Sequence, residues 1–143
     1  MLIRVPLAGV VLVFVVALLG AGCAKPTPRA PTLSTVAITD VKSVAGRWGG
    51  VVTGLPPRGS SRDEDFVDVE IRPDGTYDFG IYRTVGVFGG KGKLTIEDGR
   101  MTLKTERGSS TLVLLEGNGQ RILRAHAVMT NGLRLSSDLT PLR

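Results

Sequence analysis

Residues 67–81 read VDVEIRPDGTYDFGI, two alternating runs of apolar and polar residues on either side of a tight turn. Every second residue is apolar from Val67 to Ile71 and again from Tyr77 to Ile81. Because side chains alternate between the two faces of a strand, each run has one face for a core and one for water. The Asp-Gly pair at 74–75 supplies the positive φ angles that a hairpin turn needs. The stretch therefore predicts an antiparallel hairpin.

The same pattern continues along the chain, with further Asp-Gly or Asn-Gly pairs at 98–99, 118–119 and 131–132. It predicts eight strands, at about 47–53, 65–72, 76–83, 91–97, 100–106, 110–116, 121–129 and 133–140. Tight turns between sequence neighbours favour an all-β, antiparallel up-and-down meander. Such a meander hides its edges most simply by closing into a β-barrel. An open sheet or a two-sheet sandwich has the same sequence pattern, so both remain alternatives at this stage.

The apolar face of these strands predicts the core. We expect the inward-facing residues to be Trp48, Val52, Val67, Val69, Ile71, Tyr77, Phe79, Ile81, Leu94, Ile96, Met101, Leu103, Leu123, Met129, Leu133 and Leu135. A core of this size suits one small domain and not two.

The first 22 residues have the pattern of a bacterial lipoprotein signal peptide. One basic residue, Arg4, precedes an apolar run from Val5 to Leu19, and small residues then lead to Cys23, the only cysteine. This is the order that signal processing requires, and the run is shorter than the ~20 residues that span a bilayer. We therefore expect cleavage of residues 1–22 and acylation of Cys23, with palmitate or similar chains as the membrane anchor. An ordinary secretory signal with an incidental cysteine is the alternative.

The residues after Cys23 predict a tether followed by one folded domain. Three prolines between Lys25 and Pro31 favour extended, polyproline-like backbone. We assign 23–42 to the lipidated tether and 43–143 to the barrel. Ala24 is not the aspartate that commonly retains lipoproteins in the inner membrane. In a cell with two membranes we therefore expect anchoring in the outer membrane, facing the periplasm.

Residues 39–48 read TDVKSVAGRW, an aspartate and a short turn followed by Gly-x-Trp at the start of the first predicted strand. Thr39 or Asp40 can cap the turn and Gly46 can end it. This stretch resembles the opening motif of the lipocalins and the wider calycin group. The resemblance implies a barrel whose base is plugged by Trp48, with an arginine of the last strand packed over the ring by a cation–π contact. Arg134 is the candidate for that arginine. Bacterial lipocalins are often outer-membrane lipoproteins, which agrees with the predicted anchor.

Composition argues against several classes of function. The 18 basic and 13 acidic side chains give a net charge of +5, but the basic residues are spread over every strand, without the stacking platform of a nucleic-acid groove. We expect no nucleic-acid partner; anionic lipid headgroups are a simpler partner for a positive surface. His126 is the only histidine, and we expect it on an exposed strand face. No metal ligand set, cofactor motif or catalytic group is predicted, so we do not expect an enzyme.

The glycine-rich segment from Val85 to Gly92 predicts a mobile loop between the third and fourth strands, at the mouth of a barrel. We expect Val87 and Phe88 to face the mouth of a cavity. Lys91 and Lys93 are then expected to meet an anionic head such as a carboxylate or phosphate.

Two functions remain open on the sequence. In the first, the barrel carries or senses an apolar or amphipathic ligand, and small inward residues (Gly50, Ala125 and Ala127) leave room for it. In the second, a fully packed barrel is an envelope structural or protein-interaction module with no ligand cavity, which the short chain favours. An open apolar cavity of ~300 Å³ or more would support the first function.

Overall fold

The computed structural model describes residues 32–54, 65–83 and 86–143. The predicted signal peptide and most of the predicted tether, Cys23 included, lie outside these ranges. Within them the chain forms a 3₁₀ turn at Val41–Ser43 and nine β-strands. The strands are β1 (Ser34–Val36), β2 (Gly46–Thr53), β3 (Asp65–Ile71), β4 (Thr76–Arg83), β5 (Gly86–Glu97), β6 (Arg100–Thr105), β7 (Gly108–Gly117), β8 (Gln120–Met129) and β9 (Arg134–Pro141).

Strands β2 to β9 form a closed antiparallel barrel. Each strand pairs with the next one in sequence, and β9 returns to pair with β2, so the ladder has no free end. The predicted eight-stranded meander and its closure are confirmed, and the open sheet and the sandwich are excluded. We call the end at which β2 begins the base, and the opposite end, at which β5 begins, the mouth.

Residues 86–92 of the glycine-rich segment belong to strand β5. The prediction of a mobile loop was therefore wrong for these residues. β5 begins at Gly86 and pairs with β4 from there onwards. Gly90 and Gly92 face inwards, where a Cβ on Gly90 would lie 2.9 Å from the ring of Phe79. A Cβ on Gly92 would lie 3.1 Å from the hydroxyl of Tyr77. These glycines therefore make room for aromatic rings of the neighbouring strand, a use of glycine that leaves the strand intact.

The folded domain also begins earlier than the predicted boundary at 42/43. β1 pairs with β7 at Leu114–Glu116, and Ile38 is fully buried. The reason lies in the lengths of the strands. The ladder between β6 and β7 ends at Leu112, so the last residues of β7 have an open edge beside β6, and β1 covers it.

The core contains every predicted inward residue, either buried or packed against the buried set. It also contains residues that were not predicted: Ile38, Val44, Leu112, Leu114 and Leu139. Packing differs between the two ends of the barrel. The fully buried large side chains Ile38, Ile71, Leu114 and Leu123 lie in the base half, whereas Phe88 and Met129 near the mouth are only partly buried. The base is therefore the closed end of the barrel.

Trp48 is buried at the base of the barrel. Its side chain is 2% exposed, and its Nε1 donates a hydrogen bond of 2.8 Å to the carbonyl oxygen of Val44. The 3₁₀ turn beneath it begins with the predicted cap, in which the Asp40 carboxylate accepts from the backbone N–H of Lys42 at 3.0 Å. The sequence Asp-turn-Gly-x-Trp thus folds into a lid that crosses the base.

The guanidinium over the Trp48 ring belongs to Arg121, at 5.8 Å from the ring centroid, so the prediction of Arg134 was wrong. β9 runs from the mouth to the base, and Arg134 begins it, whereas Trp48 aligns with Pro141 at the other end of the strand. Seven residues of strand separate these two positions, roughly 23 Å. β8 begins at the base, so Arg121 is within reach, and it also donates to the carbonyl of Ser43 at 2.7 Å.

Candidate functional site

A cavity of about 90 Å³ lies inside the mouth half of the barrel. On β3 and β4 the lining consists of large apolar side chains, namely Val67, Val69, Phe79 and Ile81. On β7, β8 and β9 small residues, Ser110, Ala125, Ala127 and Ser137, alternate with the larger Leu112, Met129, Leu135 and Leu139. Because alanine and serine do not reach across the barrel, the core is incomplete here. Two of the small inward residues singled out in the sequence, Ala125 and Ala127, thus do border free space.

The volume of this cavity limits what fits inside. Pockets for drug-sized ligands measure roughly 300–1,000 Å³, and an apolar cavity of about 150 Å³ holds one benzene. The cavity is smaller than both, and it is well below the ~300 Å³ that would support a carrier function. It has room for a short apolar group, not for a complete lipid.

Phe88 and Arg107 stand together at the opening. The guanidinium of Arg107, in the turn between β6 and β7, lies 5.6 Å from the centroid of the Phe88 ring, within cation–π range. Among the described residues that line the cavity, Arg107 is the only charged one. None of the ion pairs found within the described ranges includes it. The opening thus combines an aromatic ring with a cation that pairs with no carboxylate of those ranges.

The opening lies beside a gap in the hydrogen-bond ladder of the barrel. β5 pairs with β6 only from Leu94 to Glu97, and its mouth-end half pairs with β4 alone. Where the ladder stops, the hydroxyl of Tyr77 donates to the carbonyl oxygen of Lys104 at 2.8 Å. Phe88 is therefore carried by a strand segment that is held on one side only. Such a segment opens locally at lower cost than one paired on both sides.

Ser137 brings a polar atom to the wall of the cavity. Its side chain lies on the inner face of β9, is 9% exposed and has an Oγ without a hydrogen-bond partner. The strand beside it is also irregular, since the ladder between β2 and β9 skips Gly50 and Val51. A Cβ on Gly50 would clash with the carbonyl oxygen of Asp138, so the strands approach too closely there for a side chain.

Of the four residues predicted to bind a ligand, only Phe88 lines the cavity. Val87 is 64% exposed on the outer face of β5, and Lys91 and Lys93 lie exposed on that same face. The reason is the strand that replaces the predicted loop, because alternation sends every second side chain outwards. The cation at the cavity is Arg107, which the sequence reasoning missed. Its place between two predicted strands, at the same end as the β4–β5 connection, was the signal that pointed to it.

The outer face of the barrel carries a row of exposed apolar side chains near the mouth. Val51, Phe66, Tyr82 and Val87 are cross-strand neighbours on β2, β3, β4 and β5, and are 40%, 39%, 44% and 64% exposed, respectively. We call these four residues the outer row. Contiguous exposed apolar side chains on a small protein mark surfaces that contact other molecules.

His126 lies exposed on the outer face of β8, as predicted. Nearby, Arg124 donates two hydrogen bonds of 2.7 Å to the carboxylate of Asp138 and thereby lowers the pKa of that group. The hydroxyl of Ser136 is bonded to Thr53 at 2.8 Å. No side-chain hydrogen bond to His126 occurs in the described ranges.

The described ranges, 32–54, 65–83 and 86–143, contain no group of three or more His, Cys, Asp or Glu residues placed to hold a metal ion. No helix in them has the length and apolar character needed to cross a membrane. Comparison of the chain with protein-family models, with curated proteins and with solved structures gives no match.

Proposed function

We propose that this chain is a cell-envelope lipoprotein whose barrel binds a small amphipathic ligand at the mouth. The apolar part of the ligand enters the cavity, and an anionic head stays outside beside Arg107. The observation that carries the proposal is the cavity lining, which among the described residues is mostly apolar and includes one charged residue, Arg107, beside Phe88 at the opening. Desolvated apolar walls with few polar groups are typical of small-molecule sites.

The size of the cavity selects the ligand class. At about 90 Å³, only a short chain or the end of a longer one fits inside. A medium-chain carboxylate meets both requirements, since its alkyl part is thin and its carboxylate pairs with a guanidinium. The role proposed is therefore to sense or capture such amphiphiles, and not to transport whole phospholipids.

The lipid anchor is proposed from the sequence around Cys23. Acyl chains on this residue would hold the domain at a membrane surface, and in a cell with two membranes the proposed location is the periplasmic face of the outer membrane. The plug formed by Trp48 supports a relationship to lipocalins, in which a barrel of this kind binds ligands, whereas the arginine over the ring comes from β8 and not from the last strand. We propose that relationship on these grounds alone.

The experiment is a binding measurement on the mature chain with Cys23→Ser, which keeps it soluble without acyl groups. Fatty acids of six to sixteen carbons are titrated against a fluorescent fatty acid. Phe88→Ala is expected to weaken binding about tenfold, equal to ~1.4 kcal/mol, with little change in stability because Phe88 is only partly buried. Val87→Ala is the matched control, since Val87 adjoins Phe88 but faces outwards. If no fatty acid binds to the wild-type domain at micromolar concentration, the proposal is wrong.

The outer row favours a second function, that of a protein-interaction module in the envelope. Its four exposed side chains lie on one face, as an interface core requires. Phe66→Ser with Tyr82→Ser would remove the centre of the row without touching the cavity. This function predicts that the double variant loses a co-purifying envelope protein and keeps its affinity for fatty acids. Unchanged co-purification would exclude the outer row as the contact surface.

A further inference from the structure

Ser137 is the one polar side chain in the described ranges whose buried oxygen or nitrogen atom lacks a hydrogen-bond partner. It is also nine-tenths buried and lies in the wall of the cavity. A buried hydroxyl without a partner loses its bonds to water and gains nothing in return, which costs about as much as a hydrogen bond is worth. A wall with only an apolar role would have alanine at this position, as it does at Ala125 and Ala127 on the adjacent strand.

The depth of Ser137 can be given from the register of the strands. Ser137 aligns with Ala125, which aligns with Leu112 on β7, so the three residues form one transverse row of the inner wall. Gly108, which follows Arg107, lies four residues nearer the mouth on the same strand. That distance is roughly 13 Å along β7. The Ser137 hydroxyl and the Arg107 residue at the opening are thus set apart along the depth of the cavity.

From this arrangement we infer that the ligand of the cavity is an oxygenated acyl chain, with an anionic head at Arg107 and a hydroxyl or keto oxygen near its inner end that accepts a hydrogen bond from Ser137. The inference rests on the proposed function and makes its ligand class narrower. An unoxygenated alkyl chain would leave the Ser137 hydroxyl without a partner after it had displaced any water. An oxygenated chain satisfies the hydroxyl and buries its own oxygen without penalty.

The register also says where the oxygen of the ligand should be. The lining also includes the hydroxyl residues Thr105, Ser109, Ser110 and Ser136, but in the described ranges only the Ser137 hydroxyl is buried without a hydrogen-bond partner, so it is the donor that an oxygen of the ligand would satisfy. An oxygen close to the carboxylate would stay near the opening, far from Ser137. Chains oxygenated at or next to the ω carbon are therefore the matched probes.

The test compares pairs of ligands that differ by one oxygen. Unsubstituted acids of six, eight and ten carbons and their ω-hydroxy forms are titrated against the mature chain with Cys23→Ser. We expect one ω-hydroxy acid to bind at least as tightly as its unsubstituted parent, although it is more polar. Ser137→Ala is expected to weaken the binding of that ω-hydroxy acid about fivefold, the equivalent of a net hydrogen bond of ~1 kcal/mol. The affinity for the unsubstituted parent acid should not change. Thr140→Ala is the control on the same strand, because that side chain is exposed and does not line the cavity.

The outcomes separate the inference from the proposed function. If the unsubstituted acids bind and Ser137→Ala weakens both members of a pair equally, or neither, the inference is overturned and the proposed function stands. The second of these results is expected if Ser137 serves only to hold a water molecule. If no acid of either kind binds to the wild-type chain, the proposed function fails as well. Ser137→Cys keeps the shape of the side chain but is a weak hydrogen-bond donor. Its affinity for the ω-hydroxy acid should therefore fall as in Ser137→Ala, which would exclude a packing effect as the cause.

Discussion

Trp48→Ala is expected to lower the free energy of unfolding by about 3–5 kcal/mol. The indole is 2% exposed at the base, so its loss leaves a cavity beneath the 3₁₀ turn. The carbonyl of Val44 loses its only side-chain donor, worth about 1 kcal/mol, and Arg121 loses a cation–π contact worth about 0.5–2 kcal/mol. Domains of this size have about 5–15 kcal/mol in total, so the variant should be close to unfolding at room temperature.

Urea unfolding followed by far-ultraviolet circular dichroism measures this change. Intrinsic fluorescence is unsuitable for the variant because Trp48 is the only tryptophan. Trp48→Phe keeps most of the apolar volume and loses the Nε1 donor, and it should cost about 1–2 kcal/mol. Arg121→Gln and Arg134→Gln form a matched pair. The first should cost about 1 kcal/mol, and the second less than about 0.5 kcal/mol, because Arg134 is exposed near the mouth.

Two results would refute this reasoning. A loss below about 1 kcal/mol for Trp48→Ala would mean that the indole is not packed in the base. A larger cost for Arg134→Gln than for Arg121→Gln would place the cation–π contact on the last strand, as the resemblance to lipocalins implies, and not on β8.

Two further predictions concern the anchor and pH. Cys23→Ala should abolish labelling of the protein by radioactive palmitate in cells and leave the uncleaved precursor in the inner membrane; a mature wild-type protein without label would contradict the lipoprotein assignment. Burial raises the pKa of the Tyr77 hydroxyl, which therefore stays neutral in the folded state at a pH where it ionises in the unfolded chain. Its contribution to stability is full below about pH 10 and is lost as the pH rises further. Tyr77→Phe should cost about 1 kcal/mol at neutral pH, through the carbonyl of Lys104, and should flatten the alkaline fall in urea midpoints. Parallel pH profiles for the two proteins would show that Tyr77 does not titrate with unfolding.

The fold could be predicted because its strands are amphipathic and its turns are short. Alternation from Val67 to Ile81 sets both the inner face and the register of the first hairpin. The later turns at 98–99 and 118–119 also have positive φ angles and set the next hairpins in the same way. Closure into a barrel follows from the need to pair both outer edges. In such a chain, local sequence and global architecture agree.

What could not be predicted depends on contacts between distant strands. Composition alone favours a loop for the glycines of β5, and only the aromatic rings of β4 show why they stand in a strand. The sequence of β1 shows no alternation of apolar and polar residues. This strand forms because β7 extends beyond the end of its ladder with β6 and leaves an edge for β1 to pair with. The choice of Arg121 over Arg134 depends on strand direction at the base. Arg107 was missed because alternation says nothing about turn residues, whose position depends on which loops share one end of the barrel.

The ladder between β2 and β9 joins the first and last strands of the barrel, pairing Trp48 with Pro141 and Thr53 with Ser136. Contacts at such long sequence separation form late in folding, since the loop they close is nearly the whole domain. Under the proposed export, the chain leaves the cytoplasm from its N-terminus, and β9 is the last strand to cross. The cylinder cannot close while β9 is still inside. This order keeps the chain open, and hence able to thread through a narrow pore, until translocation is complete.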